Sequence, residues 1–113
     1  MPVRDMPPVL RRETIEEMAR KIAERFHPER IILFGSYARG EATENSDLDL
    51  LVVTGGSGPR RDTAVPIIRA LGDEWVFPVD VIVCPPEELD RFGDVIGTLA
   101  HEVLSEGVVL YER

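Results

Sequence analysis

The sequence predicts an α/β domain in which a mixed sheet of three or four strands is flanked by helices. Short runs rich in Val, Ile and Leu, typical of strands, recur along the chain. Between them lie stretches whose apolar residues recur at the spacing of an amphipathic helix. This interleaving favours helices packed on the faces of a sheet. Because 113 residues suffice for one core, we expect residues 1–113 to form a single domain.

The first half of the chain predicts a helix, a strand, a turn and a second strand. Apolar residues at helical spacing over residues 15–26 predict the helix. The apolar run at 30–34 predicts the first strand, which turns into a short helix through residues 37–39. The second strand is predicted at 47–53, with a glycine-rich loop, residues 54–59, behind it. The loop is either a plain connector or a flap whose arginines, Arg60 and Arg61, reach a ligand or partner.

The second half predicts further helices and two more strands. A helix follows the glycine-rich loop, with Pro66 in its first turn, where the missing N–H of proline is not needed. A strand at 79–84 precedes a helical stretch that begins at 85, breaks near Gly93, resumes at Ile96 and ends at 107. A last, edge strand is predicted at 108–111. The residues that the first of these helices is expected to turn inward are Ala64, Ile67, Ile68 and Leu71.

Two aspartates at the start of the second strand suggest a cation site. Residues i and i+2 of a strand point to the same face, about 6.6 Å apart, so Asp47 and Asp49 aim both carboxylates at one region. Neighbouring like charges either raise one pKa or recruit a cation. Mg²⁺ prefers oxygen ligands and often binds through one or two carboxylates, with substrate phosphates and water completing its shell. Alone, an Asp-x-Asp pair is more often a solvated strand edge.

Gly35 and Ser36 stand where the first strand gives way to a helix start. Free backbone N–H groups collect at such a position and attract phosphate, glycine permits close approach of the anion, and the Ser36 hydroxyl adds a donor. A Gly-Ser pair alone is usually only a turn. In one strand, turn and strand unit with Asp47 and Asp49, it predicts a cradle for a nucleoside triphosphate.

Asp80 lies within the strongly apolar run at 79–84, where aspartate is rare because its charge loses hydration. If its strand neighbours the one that carries Asp47 and Asp49, three carboxylates face one spot. Such a cluster can hold two cations and take a proton from an attacking hydroxyl. The alternative is that Asp80 simply occupies the exposed start of its strand after Pro78.

These motifs resemble a known family. The segments Gly35-Ser36-Tyr37-Ala38-Arg39-Gly40 and Ser46-Asp47-Leu48-Asp49-Leu50, with a later Asp80, resemble the nucleotidyltransferase superfamily that includes DNA polymerase beta. More narrowly, the chain resembles the minimal nucleotidyltransferases, small single domains of prokaryotes. The resemblance implies the small nucleotidyltransferase fold and an enzyme that moves a nucleoside monophosphate, AMP above all, from an NTP to a hydroxyl and releases pyrophosphate.

The resemblance also implies roles for individual residues. Asp47 and Asp49 would ligate Mg²⁺, with Mn²⁺ as the alternative, and Asp80 would bind the second ion and activate the acceptor hydroxyl. Gly35 and Ser36 would hold the phosphates of ATP or another NTP. Arg39 matches the motif too, but a structural ion pair accounts for it at least as well as a phosphate contact.

The resemblance implies that the partner is a small helical HEPN-type protein that acts as a toxin. This chain would be the antitoxin, which silences the toxin by binding it or by transferring AMP to one of its tyrosines. Two alternatives stay open. In the first, the chain is a binding module that covers its partner without turnover. In the second, it is an enzyme that modifies a small molecule such as an aminoglycoside. The last requires a concave pocket, which a domain of this size forms most readily by dimerising.

Composition restricts partners and compartment. The net charge of −8 disfavours a grip on nucleic acid, which depends on Lys and Arg. No segment has the length and hydropathy of a membrane span, and the amino terminus lacks the apolar run of a signal peptide. A single cysteine, Cys84, forms no intrachain disulfide. We therefore expect a cytoplasmic protein that engages neither membrane nor nucleic acid, and self-association remains open.

Overall fold

Helices and strands alternate in the computed structural model, which describes residues 9–55 and 60–113, without the side chains of 60–62. The described strands are β1 (Arg30–Phe34), β2 (Leu48–Val53), β3 (Val79–Cys84) and β4 (Val108–Glu112). The described helices are α1 (Arg12–Phe26), α2 (Ser36–Arg39), α3 (Arg60–Gly72), α4 (Pro86–Phe92) and α5 (Leu99–Glu106). The predicted α/β class is confirmed. Most of the predicted glycine-rich loop falls outside the described residues.

The strands form one mixed sheet in the order β3-β2-β1-β4. β1 pairs antiparallel with β2 on one side and with β4 on the other. β2 and β3 pair in parallel, and α3 is the crossover that such a pair requires. The prediction that the last strand lies at an edge is confirmed.

The two faces of the sheet have different coverings, because alternate residues of each strand point to opposite faces. One face packs against α1 and α3 and forms the larger core. Its strand residues are Ile31, Leu33, Leu48, Leu50, Val52, Val81 and Val83. The opposite face packs against α4 and α5, and its buried residues are Ile32, Phe34, Leu51, Val53, Cys84, Leu89, Ala100 and Val103.

The placement of Pro66 in a first helical turn is wrong. α3 begins at Arg60, so Pro66 lies inside the helix and cannot donate a hydrogen bond to the preceding turn. Burial of Ile67 and Leu71 on the sheet holds the helix together on the far side of the proline. Ile68 was expected to face inward but is exposed, since one residue beyond Ile67 turns it by about 100° away from the core face.

The prediction that a helix resumes at Ile96 is also wrong. α5 begins at Leu99, after a segment of turns in which Gly97 has φ +93° and Ile96 is 85% exposed. Thr98 sets this boundary, because its side chain accepts a hydrogen bond from the backbone N–H of His101. Within the described part of the chain, no helix combines the length and hydropathy needed to cross a membrane.

Candidate active site

Asp49 and Asp80 lie side by side on β2 and β3. They are register partners of the parallel pair, so both side chains project from the face that α4 and α5 cover in part. The expected adjacency of the two strands is confirmed. Asp47 lies two residues before Asp49, and β2 begins at Leu48 rather than at Asp47 as predicted. Asp80 is exposed and Asp49 is half-buried, so the pair sits at the rim of the sheet.

The carboxylates act on one another electrostatically. Burial raises the pKa of Asp49, and the charges of Asp80, Asp47 and Glu102 raise it further. The Arg39 guanidinium opposes them and lowers the pKa of Asp49. Concentrated negative charge of this kind makes binding of a cation favourable, because a cation relieves the repulsion.

Gly35 lies directly against Asp49. The strand pairing places Phe34 opposite Asp49, and the chain then bends at Gly35, which has φ +75°. A Cβ atom at Gly35 would collide with Oδ2 of Asp49, so the backbone approaches the carboxylate as closely as only glycine allows. Ser36 begins α2 immediately after this bend. The structure therefore brings the predicted phosphate-binding residues and the predicted metal ligands together.

Two sets of contacts fix the segments around the bend. The backbone N–H of Leu10 donates to the Tyr37 hydroxyl at 3.1 Å, and the Tyr37 ring meets Phe77 edge to face with centroids 6.3 Å apart. Before β2, the backbone N–H of Thr43 donates to Oγ of Ser46 at 2.9 Å, closing the turn that delivers Asp47. Tyr37 is therefore a packing residue that holds the segment after the bend.

Arg39 forms ion pairs with two acids. Its Nε lies 2.7 Å from Oε1 of Glu41, and its Nη1 lies 3.4 Å from Oε2 of Glu106. The hydrogen bond to Glu41, more than that to Glu106, raises the pKa of the guanidinium. Arg39 thus connects α2, next to the bend, with the end of α5. These contacts are the structural ion pair that was one of the two interpretations of Arg39 from the sequence.

Glu102 is the acidic residue near the site that sequence reasoning missed. It projects from α5, far along the chain from the motif, and contributes to the raised pKa of Asp49. Nothing in its local sequence distinguishes it from a solvated helix residue. Only the packing of α5 on the same face of the sheet reveals its position.

The donor set suits a hard divalent cation. Asp47, Asp49 and Asp80 offer only carboxylate oxygens, which Mg²⁺ and Mn²⁺ prefer. Among the residues that the structure describes, no three His, Cys, Asp or Glu side chains are positioned as a complete metal site. The register partners Asp49 and Asp80 offer carboxylate oxygens of the kind that Mg²⁺ uses together with substrate phosphates, so these residues fit the ion.

Comparison of the sequence with known families gives a direct match. The model of the "Nucleotidyltransferase domain" family matches residues 15–106, which include every element from α1 to α5 that the site uses. A Methanocaldococcus jannaschii protein named "Putative protein adenylyltransferase" is 32% identical over 103 residues, covering 88% of this chain and 70% of its own length.

Two solved structures share the fold. One, described as "a putative nucleotidyltransferase from Sulfolobus solfataricus", has a TM-score of 0.62 and 27% identity, and the match covers 89% of this chain and 79% of that one. The other, described as "the toxin-antitoxin with AMP-PNP", has a TM-score of 0.57 and 26% identity, with coverage of 87% and 73%.

Proposed function

The chain belongs to the nucleotidyltransferase domain family, and from that premise we propose that it transfers AMP from ATP to a hydroxyl group of a partner protein. Enzymes of this family generally use a nucleoside triphosphate and a divalent metal ion. The observation that carries the proposal is the register pairing of Asp49 with Asp80, next to the glycine bend at Gly35. AMP and a protein acceptor are favoured by the name of the M. jannaschii relative.

The motif residues would bind the metal ions and the nucleotide. Asp47 and Asp49 would hold the divalent ions, and Gly35 and Ser36 would hold the nucleotide phosphates against the start of α2. Bound Mg²⁺ or Mn²⁺ would offset the negative charge of the phosphates and of the leaving pyrophosphate. Asp49 would orient the nucleotide, since its position is fixed by the pairing of β2 with β1 and β3 rather than by a loop.

Asp80 is assigned the acceptor side of the reaction, where it would also bind the second divalent ion. It is more exposed than Asp49, so a hydroxyl of another protein can reach it. In the proposed step the hydroxyl oxygen forms a bond to the α-phosphorus, the bond between that phosphorus and the bridging oxygen breaks, and pyrophosphate leaves. The hydroxyl proton passes to the Asp80 carboxylate.

The partner in this proposal is a HEPN-type toxin, and the acceptor is one of its tyrosines. Support comes from the motif resemblance and from the structural similarity to a protein described as part of a toxin–antitoxin complex with AMP-PNP. The acidic character of the chain, with a net charge of −8, suits a basic protein partner better than a nucleic acid. The chain would act as the antitoxin.

The test is transfer to the native partner. The full chain is affinity-purified from its source cells, the co-purifying protein is identified, and both are expressed separately and mixed with Mg²⁺ and each NTP. Intact-mass analysis should show added AMP on the partner with ATP, lost with EDTA and with Asp80→Ala. Asp73→Ala, an exposed acid beyond α3 on the other face, is the matched control and should retain transfer.

Two results would contradict the proposal. An unmodified partner with all four NTPs would remove the transfer reaction. If the Asp49→Asn variant bound the partner with undiminished affinity and still suppressed its toxicity, catalysis would be dispensable. The binding-module alternative would then hold.

A further inference from the structure

An exposed apolar surface lies on the side of the molecule that carries the acids. Of the ten large hydrophobic residues that are exposed in the described chain, five fall between residues 92 and 104. Ile96 is the most exposed of them, at 85%. The five, called here the α4–α5 surface, are Phe92, Val95, Ile96, Leu99 and Leu104. Leu104 of α5 packs over Gly93, because a Cβ atom built at Gly93 would lie only 2.5 Å from Cδ1 of Leu104. This contact joins α5 to the segment that follows α4.

Hydrogen bonds hold this surface in place. Oγ1 of Thr98 donates to the carbonyl oxygens of Val95 at 2.7 Å and Phe92 at 3.0 Å as alternative acceptors, and accepts from the backbone N–H of His101. Nδ1 of His101 lies 3.0 Å from the carbonyl oxygen of Gly93. The segment between α4 and α5 is thus tied to the helix that follows it. Its apolar side chains are therefore presented by a hydrogen-bonded turn.

The surface is continuous with the active-site face. Ala100 and Val103 of α5 pack on the same side of the sheet from which Asp49 and Asp80 project. Glu102, between them, acts on Asp49, and Glu106 contacts Arg39 beside the bend. A protein bound to the α4–α5 surface therefore contacts the helix whose Glu102 and Glu106 border the active site.

The charges around the surface select its occupant. Residues 86–106 contain six acids and a single base, Arg91. Exposed Asp90 and Asp94 alternate with the apolar residues along the chain. Such a rim repels nucleic acid, anionic lipid and a second copy of this acidic chain. It attracts a protein whose apolar contact residues are flanked by Lys and Arg.

We propose that the α4–α5 surface docks the acceptor protein through apolar contact residues flanked by Lys and Arg, an inference that rests on the proposed function. Docking there holds the partner beside Asp80 while its hydroxyl enters the site. The contact supplies affinity for the partner and takes no part in binding the nucleotide.

The test compares two isoleucines on opposite faces. Ile96→Glu places a charge in the α4–α5 surface. Ile68→Glu places the same charge at an exposed position of α3, the helix that packs on the other face of the sheet. The probe is the partner identified by co-purification, titrated calorimetrically against each purified variant. Ile96→Glu should raise Kd by about tenfold or more, and Ile68→Glu should leave it within about twofold. Transfer assays should show a raised KM for the partner with kcat at saturation and ATP affinity preserved.

The outcomes separate this inference from the proposed function. Equal partner affinity of the two variants, with transfer intact, overturns the docking surface alone. Selective loss of binding in Ile96→Glu without any transfer by the wild-type chain supports the surface and overturns the transfer reaction. Recovery of no partner protein overturns both. If sedimentation shows that the chain self-associates and that Ile96→Glu abolishes this, the surface joins two copies and the proposal is wrong.

Discussion

Gly35 leaves no room for a side chain beside Asp49. The bend at Gly35 has φ +75°, and its α-carbon faces the Asp49 carboxylate so closely that a methyl group would collide with Oδ2. Gly40, at the other end of α2, has a similar φ of +73° but has no heavy atom within 4 Å of its Cβ position. The backbone of Gly35 has ψ −156°, in a region open almost only to glycine, whereas Gly40 has ψ 23°, in the left-handed region that other residues adopt at moderate cost.

Gly35→Ala should lower the rate of nucleotide transfer by about a hundredfold or more, because displacement of a reacting group by about 1 Å has effects of this size. Gly40→Ala meets no neighbouring atom and carries only the left-handed backbone penalty, about 1 kcal/mol of unfolding free energy, so it should keep most of the activity. Activity assays and urea denaturation of both variants check this. Equal loss of activity in the two variants would show that transfer does not depend on the contact between Gly35 and Asp49.

Asp49→Asn should stabilise the fold while it abolishes transfer. Because the pKa of Asp49 is raised in the folded protein, the folded state holds the proton more tightly than the unfolded chain does. The stability that the Asp49 carboxyl contributes therefore falls as the pH rises from 3.8, its ordinary pKa, to its raised pKa in the folded protein. Above that pH the contribution stays lower. The amide carries no charge, so Tm at pH 7 should rise by roughly a few degrees.

Calorimetry across pH checks the sign of this effect. The gain from Asp49→Asn should shrink as pH falls below 3.8, where the carboxyl is neutral in both states. Asp90→Asn, the same change on the exposed surface of α4, should leave Tm at pH 7 nearly unchanged. A lower Tm for Asp49→Asn at pH 7 would contradict the electrostatic account.

Gly107→Ala should destabilise the protein by roughly 2 kcal/mol or more. A Cβ atom there would collide with the carbonyl oxygen of Val103 and lie 2.7 Å from Cγ2 of buried Ile32, which forces α5 away from the sheet. Gly72→Ala, at the end of α3 with open space around it, should be neutral or stabilising by up to about 1 kcal/mol. Chemical denaturation of the two variants measures the contrast, and comparable stabilities would contradict it.

Thr98→Ala should cost about 1 kcal/mol of unfolding free energy, the usual value of a helix N-cap, and should also weaken partner binding. The second effect follows because the same hydroxyl lies within hydrogen-bonding distance of the carbonyls of Phe92 and Val95, whose side chains belong to the α4–α5 surface. Glu24→Ala, an exposed change on α1, which packs on the other face of the sheet, should alter neither property. Unaltered partner affinity in Thr98→Ala at a temperature where it is folded would show that docking does not depend on this turn.

The sheet and the acidic pair could be predicted because their signals are local. β1 and β3 are apolar runs of strand length, and Asp49 lies in β2, as the apolar run that follows it indicates. The position of Asp80 required only the pairing of its strand with β2, which the parallel crossover through α3 provides. Glu102 could not be found in this way, because its place depends on how α5 packs on the sheet.

The wrong predictions arise where packing or turn formation overrides a local rule. Pro66 is tolerated inside α3 because its neighbours, Ile67 and Leu71, are buried against the sheet. Ile96 matched a helical apolar pattern, but the Thr98 hydroxyl starts α5 only after it and leaves Ile96 in a turn. In both cases the sequence pattern does not reveal which of two competing local energies is larger.

The parallel pairing of β2 with β3 links ligand binding to folding of the entire sheet. Asp49 and Asp80 are contributed by segments that meet only after the α3 crossover is complete, so an unfolded chain has no comparable affinity for a metal-bound nucleotide. Saturation with ATP and Mg²⁺ should therefore delay global melting, by about 2.7 kcal/mol at a hundredfold excess over Kd. Thermal shift thus offers a rapid screen for the preferred base and ion before any acceptor is known.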